Sequence, residues 1–239
     1  MQPDLSVLIV TYNSRADIAR CLQSLQQHCT GVALEVVVCD NNSTDRTAAV
    51  AEAAGARVVF EPVNQIARAR NRGAEAATGD WLMFVDADSQ PTPELFADVA
   101  GAIQDPRCVG GGCTLRWSAE VAPWARRAIG YWNWWSRLLR WAAGSFIFCE
   151  AKAFRELGGF DLEFYVSEEI DFSRRLKRLA RRRGQRVVIL TAHPLLTSAR
   201  KTHLYTLGDH LRFLGRFFFV GRGLSRKREH CFIWYDGRR

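Results

Sequence analysis

The chain has 239 residues, 48% of them apolar, and a formal charge of +8. That length and apolar content exclude a wholly disordered polypeptide and are sufficient for a substantial α/β core. The charge is unevenly divided: residues 1–110 hold 8 basic and 14 acidic side chains, the remainder 25 and 11. The front half therefore suits a bound cation. The back half suits an anionic surface such as phosphate, lipid headgroups or nucleic acid. Seven cysteines, odd in number and without a C-x-x-C pair, favour a reducing compartment, with Cys21, Cys39 and Cys149 as buried thiols. No apolar run approaches the ~20 residues that span a bilayer. Met1-Gln2-Pro3-Asp4 lacks the basic start of a signal peptide, so the expected location is the cytoplasm.

In chain order, Leu5–Val10 is a β-rich apolar run ending in Thr11-Tyr12-Asn13. Ser14 then opens a helix, with Asp17 placed for a capping box and Ile18, Cys21, Leu22 and Leu25 as the buried stripe. A second strand, Leu34–Cys39, runs into Asp40-Asn41-Asn42-Ser43-Thr44-Asp45 and an Ala-rich helix that stops near Gly55. Arg57–Phe60 is a short third strand, and Gln65–Ala77 a helix carrying Arg68, Arg70 and Arg72.

Trp81–Val85 is an unbroken apolar run suited to a strand buried on both faces. It leads into Asp86-Ala87-Asp88, at the carboxyl end where open α/β sheets place ligands. Two carboxylates there make a hard oxygen pocket for Mg²⁺ or Mn²⁺ carrying a phosphorylated ligand. The bland alternative, an acidic cap for the next helix, is already supplied by Thr92-Pro93-Glu94. Polar clusters end three front-half strands, and a doubly wound sheet brings such clusters to one edge.

Val109–Cys113 reads as a strand with a flexible or closely approached backbone. Residues 117–141 hold six of the eight tryptophans, interleaved with Arg116, Arg126, Arg127, Arg137 and Arg140. That stretch is an aromatic packing helix, an interfacial membrane segment or a platform for stacking on sugars or bases. Ser145–Cys149 is a further strand and Ala151–Leu157 a short helix before Gly158-Gly159. Ser167 is the predicted N-cap of a basic helix that buries Phe172, Leu176 and Leu179. Arg186–Leu190 is another strand. From His203 the tail is amphipathic through Leu207, Leu211, Leu214 and Phe218, ending in Arg222, Arg226, Lys227 and Arg228.

Several of these stretches together resemble the family 2 glycosyltransferases of the GT-A fold, across roughly residues 5–200. They are Ser6–Asn13, Val38–Thr47, Ala69-Arg70-Asn71-Arg72-Gly73, Asp86-Ala87-Asp88, Gly158-Gly159-Phe160-Asp161 and Ser167-Glu168-Glu169-Ile170-Asp171. The resemblance implies a Rossmann-like open mixed sheet flanked by helices, formed as one domain over 1–239. About 1–110 would be the nucleotide-sugar and metal half, 111–202 the acceptor and catalytic-base half, and 203–239 a basic tail. It implies inverting, metal-assisted transfer from a nucleoside diphosphate sugar to a lipid-linked or other hydroxyl acceptor, in cell-envelope glycan or glycolipid synthesis.

In that reading Thr11, Tyr12, Asn13, Asp40 and Asn42 hold the donor nucleotide. Arg70 (or Arg68) adds charge at the diphosphate, Asp86 faces the ribose or a metal-bound water, and Asp86 and Asp88 hold Mn²⁺ or Mg²⁺. Glu169 stands where the family usually carries its general-base Asp, with Glu168 and Asp171 as alternatives. His193 and His203 are candidates for a third metal ligand. Two other readings compete with this one. Nucleotidyl transfer would need a Gly-rich phosphate loop with a Lys, which Thr11-Tyr12-Asn13-Ser14 is not. A nucleic-acid- or membrane-binding module would use the basic, Trp-rich back half but leave the three acidic strand ends idle. The basic, Trp-rich stretches also point to peripheral contact with an anionic membrane face.

Overall fold

The computed structural model describes residues 4–28, 33–205, 208–209 and 225–235. Eight strands form one mixed sheet: β1 Leu5–Thr11, β2 Leu34–Asp40, β3 Arg57–Phe60, β4 Trp81–Asp86, β5 Ser89–Gln90, β6 Cys108–Trp117, β7 Phe146–Glu150 and β8 Arg186–Thr197. Their spatial order is β3-β2-β1-β4-β7-β6-β8-β5. The pairs β1–β2, β1–β4, β2–β3 and β6–β8 are parallel, while β7 runs antiparallel between β4 and β6. The helices are α1 Arg15–His28, α2 Thr47–Ala53, α3 Ile66–Ala76, α4 Pro93–Gln104, α5 Pro123–Leu139, α6 Ala151–Glu156, α7 Glu168–Arg182 and α8 Arg200–Leu204.

Side-chain alternation on the central strand divides the core. Met83 and Val85 join Val7, Ile9, Ile18, Leu22, Leu25 and Val99 on one face. Leu82 and Phe84 join Leu8, Ile147, Phe154, Phe160, Phe172 and Leu176 on the other. This period of two is the strand's own geometry, and with both faces covered it yields the continuous apolar run seen in the sequence. On the second face Phe84 lies 5.3 Å from the Phe154 ring and 5.1 Å, edge-on, from that of Phe160.

The first three sequence strands and the β4 run stand where the apolar runs put them, and Thr92 caps α4 by accepting the Leu95 N–H. At the start of α1 the Ser14 hydroxyl donates to the Tyr12 carbonyl and its N–H to Thr47 Oγ1, while the Asp17 carboxylate bonds Arg20 and Arg200. A predicted cap is corrected at α7. Ser167 precedes α7 with a left-handed backbone (φ 72°) and no side-chain cap. A side-chain cap needs the extended conformation, so that turn's geometry takes the hydroxyl out of reach. The six cysteines among the described residues are all buried and free. The tail pattern through Leu207, Leu211, Leu214, Phe218 and Arg222 lies outside the described residues.

The close backbone approach predicted at Gly110-Gly111-Gly112 is present. A Cβ on Gly111 would sit 1.9 Å from the Val188 carbonyl oxygen, on the strand paired with it in register. Gly111→Ala should therefore lower the free energy of unfolding by at least the ~1–3 kcal/mol typical of overpacked cores. A urea midpoint equal to that of the parent protein would show that β6 and β8 do not approach this closely.

Candidate active site

The sheet edge collects the polar strand ends, as the doubly wound topology requires. Thr11 pairs in register with Asp40, and Val10 with Asp86. The loops after β1 and β2 are laced to each other: Asn41 N–H donates to the Thr11 carbonyl, Asn13 N–H to Ser43 Oγ, and Thr44 N–H to Asn13 Oδ1. Asn13 and Asn42 adopt left-handed φ angles of 46° and 66°. Asparagine tolerates that region because its short side chain bonds locally. Asp40 is buried and accepts the Ser43 N–H, while the buried Thr11 Oγ1 has no partner among the described residues. An orphaned hydroxyl at such an edge suits an external ligand.

The second assembly is centred on Arg70, buried on α3. Its guanidinium donates to Glu168 at 2.5 Å, to Asp86 at 3.1 Å and to the Gly144 carbonyl at 2.7 Å, and it lies over the Phe160 ring. Arg70, expected at a diphosphate, thus ties α3, the end of β4, the loop before β7 and the start of α7. Asn71, the next residue, brackets the turn before α7: its amide donates to the Phe160 carbonyl and accepts the Phe160 N–H. Arg175 holds the same turn through the Leu157 and Gly159 carbonyls. The Gly158-Gly159-Phe160 motif is therefore a structural clasp. Gly159 needs its φ of 72°, and a Cβ there would lie 2.7 Å from Asn71 Oδ1.

Asp86, Asp88, Arg70, Glu168 and Glu169 line one cavity of about 520 Å³. Trp117, Trp124, Ile129 and Trp132 also line it. Helix α5 is pinned beside it by the Asn133 amide, which pairs with both backbone groups of Leu115, and by the Trp117 indole N–H donating to the Ala125 carbonyl. The C-terminal turn Phe232–Tyr235 closes one side. Its Tyr235 hydroxyl donates to the Tyr165 carbonyl and accepts the Ile66 N–H. Thr11, Tyr12, Asn13, Asp40 and Asn42 sit on the adjoining strand ends, outside the cavity lining.

Three acidic side chains open α7, and the structure distinguishes them. Asp171 bonds Arg175 and does not line the cavity. Glu168 is matched with Arg70. Glu169 reaches the cavity without an arginine hydrogen bond among the described residues, and its carboxyl is pushed up to about 8 by burial and by the neighbouring Glu168 carboxylate. Burial also raises Glu168, with Arg70 pulling the other way.

Asp88 receives Arg200 at 3.4 Å, and Arg200 also holds Asp17 at 2.9 Å. Nothing in the sequence around Arg200 signalled that role. Among the described residues no three His, Cys, Asp or Glu side chains cluster as metal ligands. His193, a candidate third ligand, instead bonds Asp98 of α4, and the His203 side chain lies outside what is described. Asp86 and Asp88 alone still fit a hard divalent cation whose remaining positions are filled by phosphate oxygens and water. That is the usual way Mg²⁺ is held beside a nucleotide.

The chain matches the family described as Glycosyl transferase family 2 over residues 6–154. It is 35% identical to the uncharacterised glycosyltransferase YibD of Escherichia coli strain K12 over 97 residues, 38% of this chain and 28% of YibD. A Rickettsia felis glycosyltransferase is 34% identical over 95 residues, 40% of this chain and 32% of that relative. The match thus spans less than a third of each relative's length. Among solved structures, a Pyrobaculum calidifontis mannosyltransferase bound to GDP-Man and Mn²⁺ aligns with a TM-score of 0.68 at 19% identity. That alignment covers 94% of this chain and 64% of the other. A Mycobacterium tuberculosis glucosyl-3-phosphoglycerate synthase bound to Mn²⁺, UDP and phosphoglyceric acid aligns at 0.64 and 20% identity, covering 91% and 76%. The shared architecture is the GT-A fold, a mixed open sheet with flanking helices.

The Arg70 cluster generates its own prediction. Arg70→Met strands Glu168 without its buried partner and should cost about 3–5 kcal/mol of stability. Adding Glu168→Leu should restore much of that loss. Urea denaturation of both variants tests this, and a double variant no more stable than the single one would break the pairing argument.

Proposed function

The chain belongs to glycosyltransferase family 2, and on that premise we propose that it moves a sugar from a nucleoside diphosphate sugar to an acceptor hydroxyl, with inversion at the anomeric carbon. The observation that carries the reading is the sharing of one cavity by Asp86, Asp88 and the raised carboxyl of Glu169. Thr11, Tyr12, Asn13, Asp40 and Asn42 hold the nucleoside at the neighbouring strand ends. Asp86 and Asp88 would hold Mn²⁺ or Mg²⁺ beside the diphosphate, where a divalent ion offsets the charge of the leaving group. Arg70 lines the same cavity and fixes Asp86 and Glu168; its charge there supports the diphosphate as well.

Glu169 is the general base. Its carboxylate takes the proton of the acceptor hydroxyl as that oxygen bonds to the anomeric carbon. The bond from that carbon to the diphosphate oxygen breaks on the opposite face, and the electron pair leaves with the nucleoside diphosphate. Proximity to Glu168 and partial burial hold this base near the working pH, where a general base is most effective. The longer Glu, in place of the family's usual Asp, extends the carboxylate by one methylene toward the acceptor side.

Glu169→Gln should lower kcat by ~10²–10⁴-fold with donor binding preserved. Because Glu169 must be ionised to act and its pKa is raised, kcat should climb with pH through the region of about 8. Glu168→Gln removes a neighbouring negative charge, so the rise should move to lower pH. A pH–rate profile reads both effects. Near-normal turnover in Glu169→Gln, or an unmoved profile in Glu168→Gln, would reassign the base. Asp88→Asn should abolish any Mn²⁺-dependent rise in melting temperature given by nucleoside diphosphates; an undiminished rise would remove Asp88 from the metal site.

A second observation supports action at a membrane face. No helix of the described residues is long and apolar enough to cross a bilayer. The outer side of α5, however, exposes Tyr131, Trp134 and Leu138 (65%, 54% and 60%) at helical spacing. The exposed Arg126, Arg127 and Arg137 lie on the same helix. Such a face gains apolar burial and attraction to anionic lipid together. The protein should sediment with phosphatidylglycerol vesicles at low salt, and Trp134→Glu should weaken this. Protein that stays in the supernatant would leave α5 as a solvent-facing helix.

A further inference from the structure

We infer that the acceptor is a neutral alcohol carried on an apolar body, not a phosphate and not a free sugar. This rests on the glycosyltransferase reading above and concerns the class of molecule that enters the cavity. Three features of the cavity select it. First, beside the carboxylates and a few hydroxyl side chains the lining carries a large apolar part: Leu115, Trp117, Trp124, Ile129, Trp132 and Ile233. Against those side chains a molecule dense in hydroxyls would lose water without finding partners, whereas an alkyl or aryl body gains from burial there.

Second, the charge in the lining is one-sided. Asp86, Asp88, Glu168 and Glu169 are all present, and among the described residues the cation lining the cavity is Arg70. Its guanidinium is already held by Glu168, Asp86 and the Gly144 carbonyl. With the divalent ion of the proposed site already shared by Asp86, Asp88 and the donor diphosphate, a phosphate nucleophile would find no further free cation among the described lining residues. A neutral hydroxyl meets a base.

Third, the buried indole N–H of Trp132, in the cavity lining, has no hydrogen-bond partner among the described residues. A buried donor left unpaired is costly. It suits one ether, ester or second hydroxyl oxygen on an otherwise apolar acceptor, and so fixes which way that acceptor lies.

Such an alcohol can come from the membrane or from solution, and the shared chemistry is the same. The test supplies the purified protein with a panel of nucleoside diphosphate sugars and Mn²⁺, and measures nucleoside diphosphate release above the no-acceptor rate. Acceptors are dioctanoylglycerol in phosphatidylglycerol vesicles, 2-naphthol in solution, octyl phosphate and glucose. At least tenfold stimulation by either alcohol over octyl phosphate and glucose is the expected result, and the better of the two alcohols identifies the source. Trp132→Phe keeps the ring and removes the donor. It should raise KM for the alcohol about fivefold, the equivalent of one net hydrogen bond, with kcat and donor binding little changed.

Stimulation by octyl phosphate or glucose in place of the alcohols overturns the inference and leaves the glycosyltransferase reading intact. If no acceptor stimulates although donors bind, 1-octanol is titrated against tryptophan fluorescence. A saturable shift that Trp132→Phe weakens supports the site, and its absence overturns it. Failure of every nucleoside diphosphate to raise the melting temperature would instead remove the donor reading.

Discussion

Arg70 is the side chain on which the site depends. It lies buried on α3, yet its three polar contacts belong to three other parts of the chain: Asp86 at the end of β4, Gly144 before β7 and Glu168 at the start of α7. A guanidinium is a rigid planar fork of donors, so satisfying it fixes those groups in position as well as distance. A buried cation with unsatisfied donors would be expensive, which makes the arrangement all-or-none in character. Asn71 and Arg175 extend the same fixing to the Gly158–Phe160 turn, which sets where α7 begins.

The site's chemistry follows from a charge imbalance in this knot. One guanidinium sits among Asp86, Glu168 and Glu169. Glu168 takes the closest contact and Asp86 the next, and Glu169 is left beside a carboxylate with no arginine of its own. Like charge and burial then raise its pKa together. Burial is the larger cause of the raised Glu169 pKa and the Glu168 carboxylate the next. The residue that keeps Glu168 in place is Arg70, one element further back. The left-handed turn at Ser167 belongs to the same arrangement: it starts α7 at an angle that sends Glu168 inward to Arg70 and leaves Glu169 facing the cavity.

What the sequence made legible was whatever is local. Apolar runs bounded by Gly, Pro and Asp clusters marked β1 to β4 to within a residue or so, because a strand covered on both faces needs little more than apolar continuity. The run of glycines in β6 announced close backbone contact. Caps were less legible, since Ser14, Asp17 and Ser167 have several partners to choose from and tertiary neighbours decided. Long-range ion pairs were not legible at all. Arg70 lies 98 residues from Glu168, and Arg200 lies 112 from Asp88. On a helical wheel Arg70 looks like one more basic residue of a solvated face. In one dimension Glu169 led on resemblance alone, with Glu168 and Asp171 as alternatives, and Arg70 and Arg175 set the three apart in space.

The tryptophan-rich stretch gives different faces of one helix different surroundings. Helix α5 packs through Ala125 and Ser136, lines the cavity through Trp124 and Trp132, and exposes Tyr131 and Trp134 outward. Its 3.6-residue period separates these positions onto different faces, so packing, cavity lining and surface exposure need not compete. The apolar inner face also matters to the chemistry. On the proposed function, a wall that gives water few hydrogen bonds would disfavour water as the nucleophile near Glu169 and would keep an apolar acceptor where its hydroxyl can reach that carboxylate. A low-dielectric wall also strengthens the interaction between Glu168 and Glu169, which adds to burial in raising the Glu169 pKa. The indoles that would favour the proposed apolar acceptor therefore line the same cavity as the carboxyl whose proton affinity burial raises.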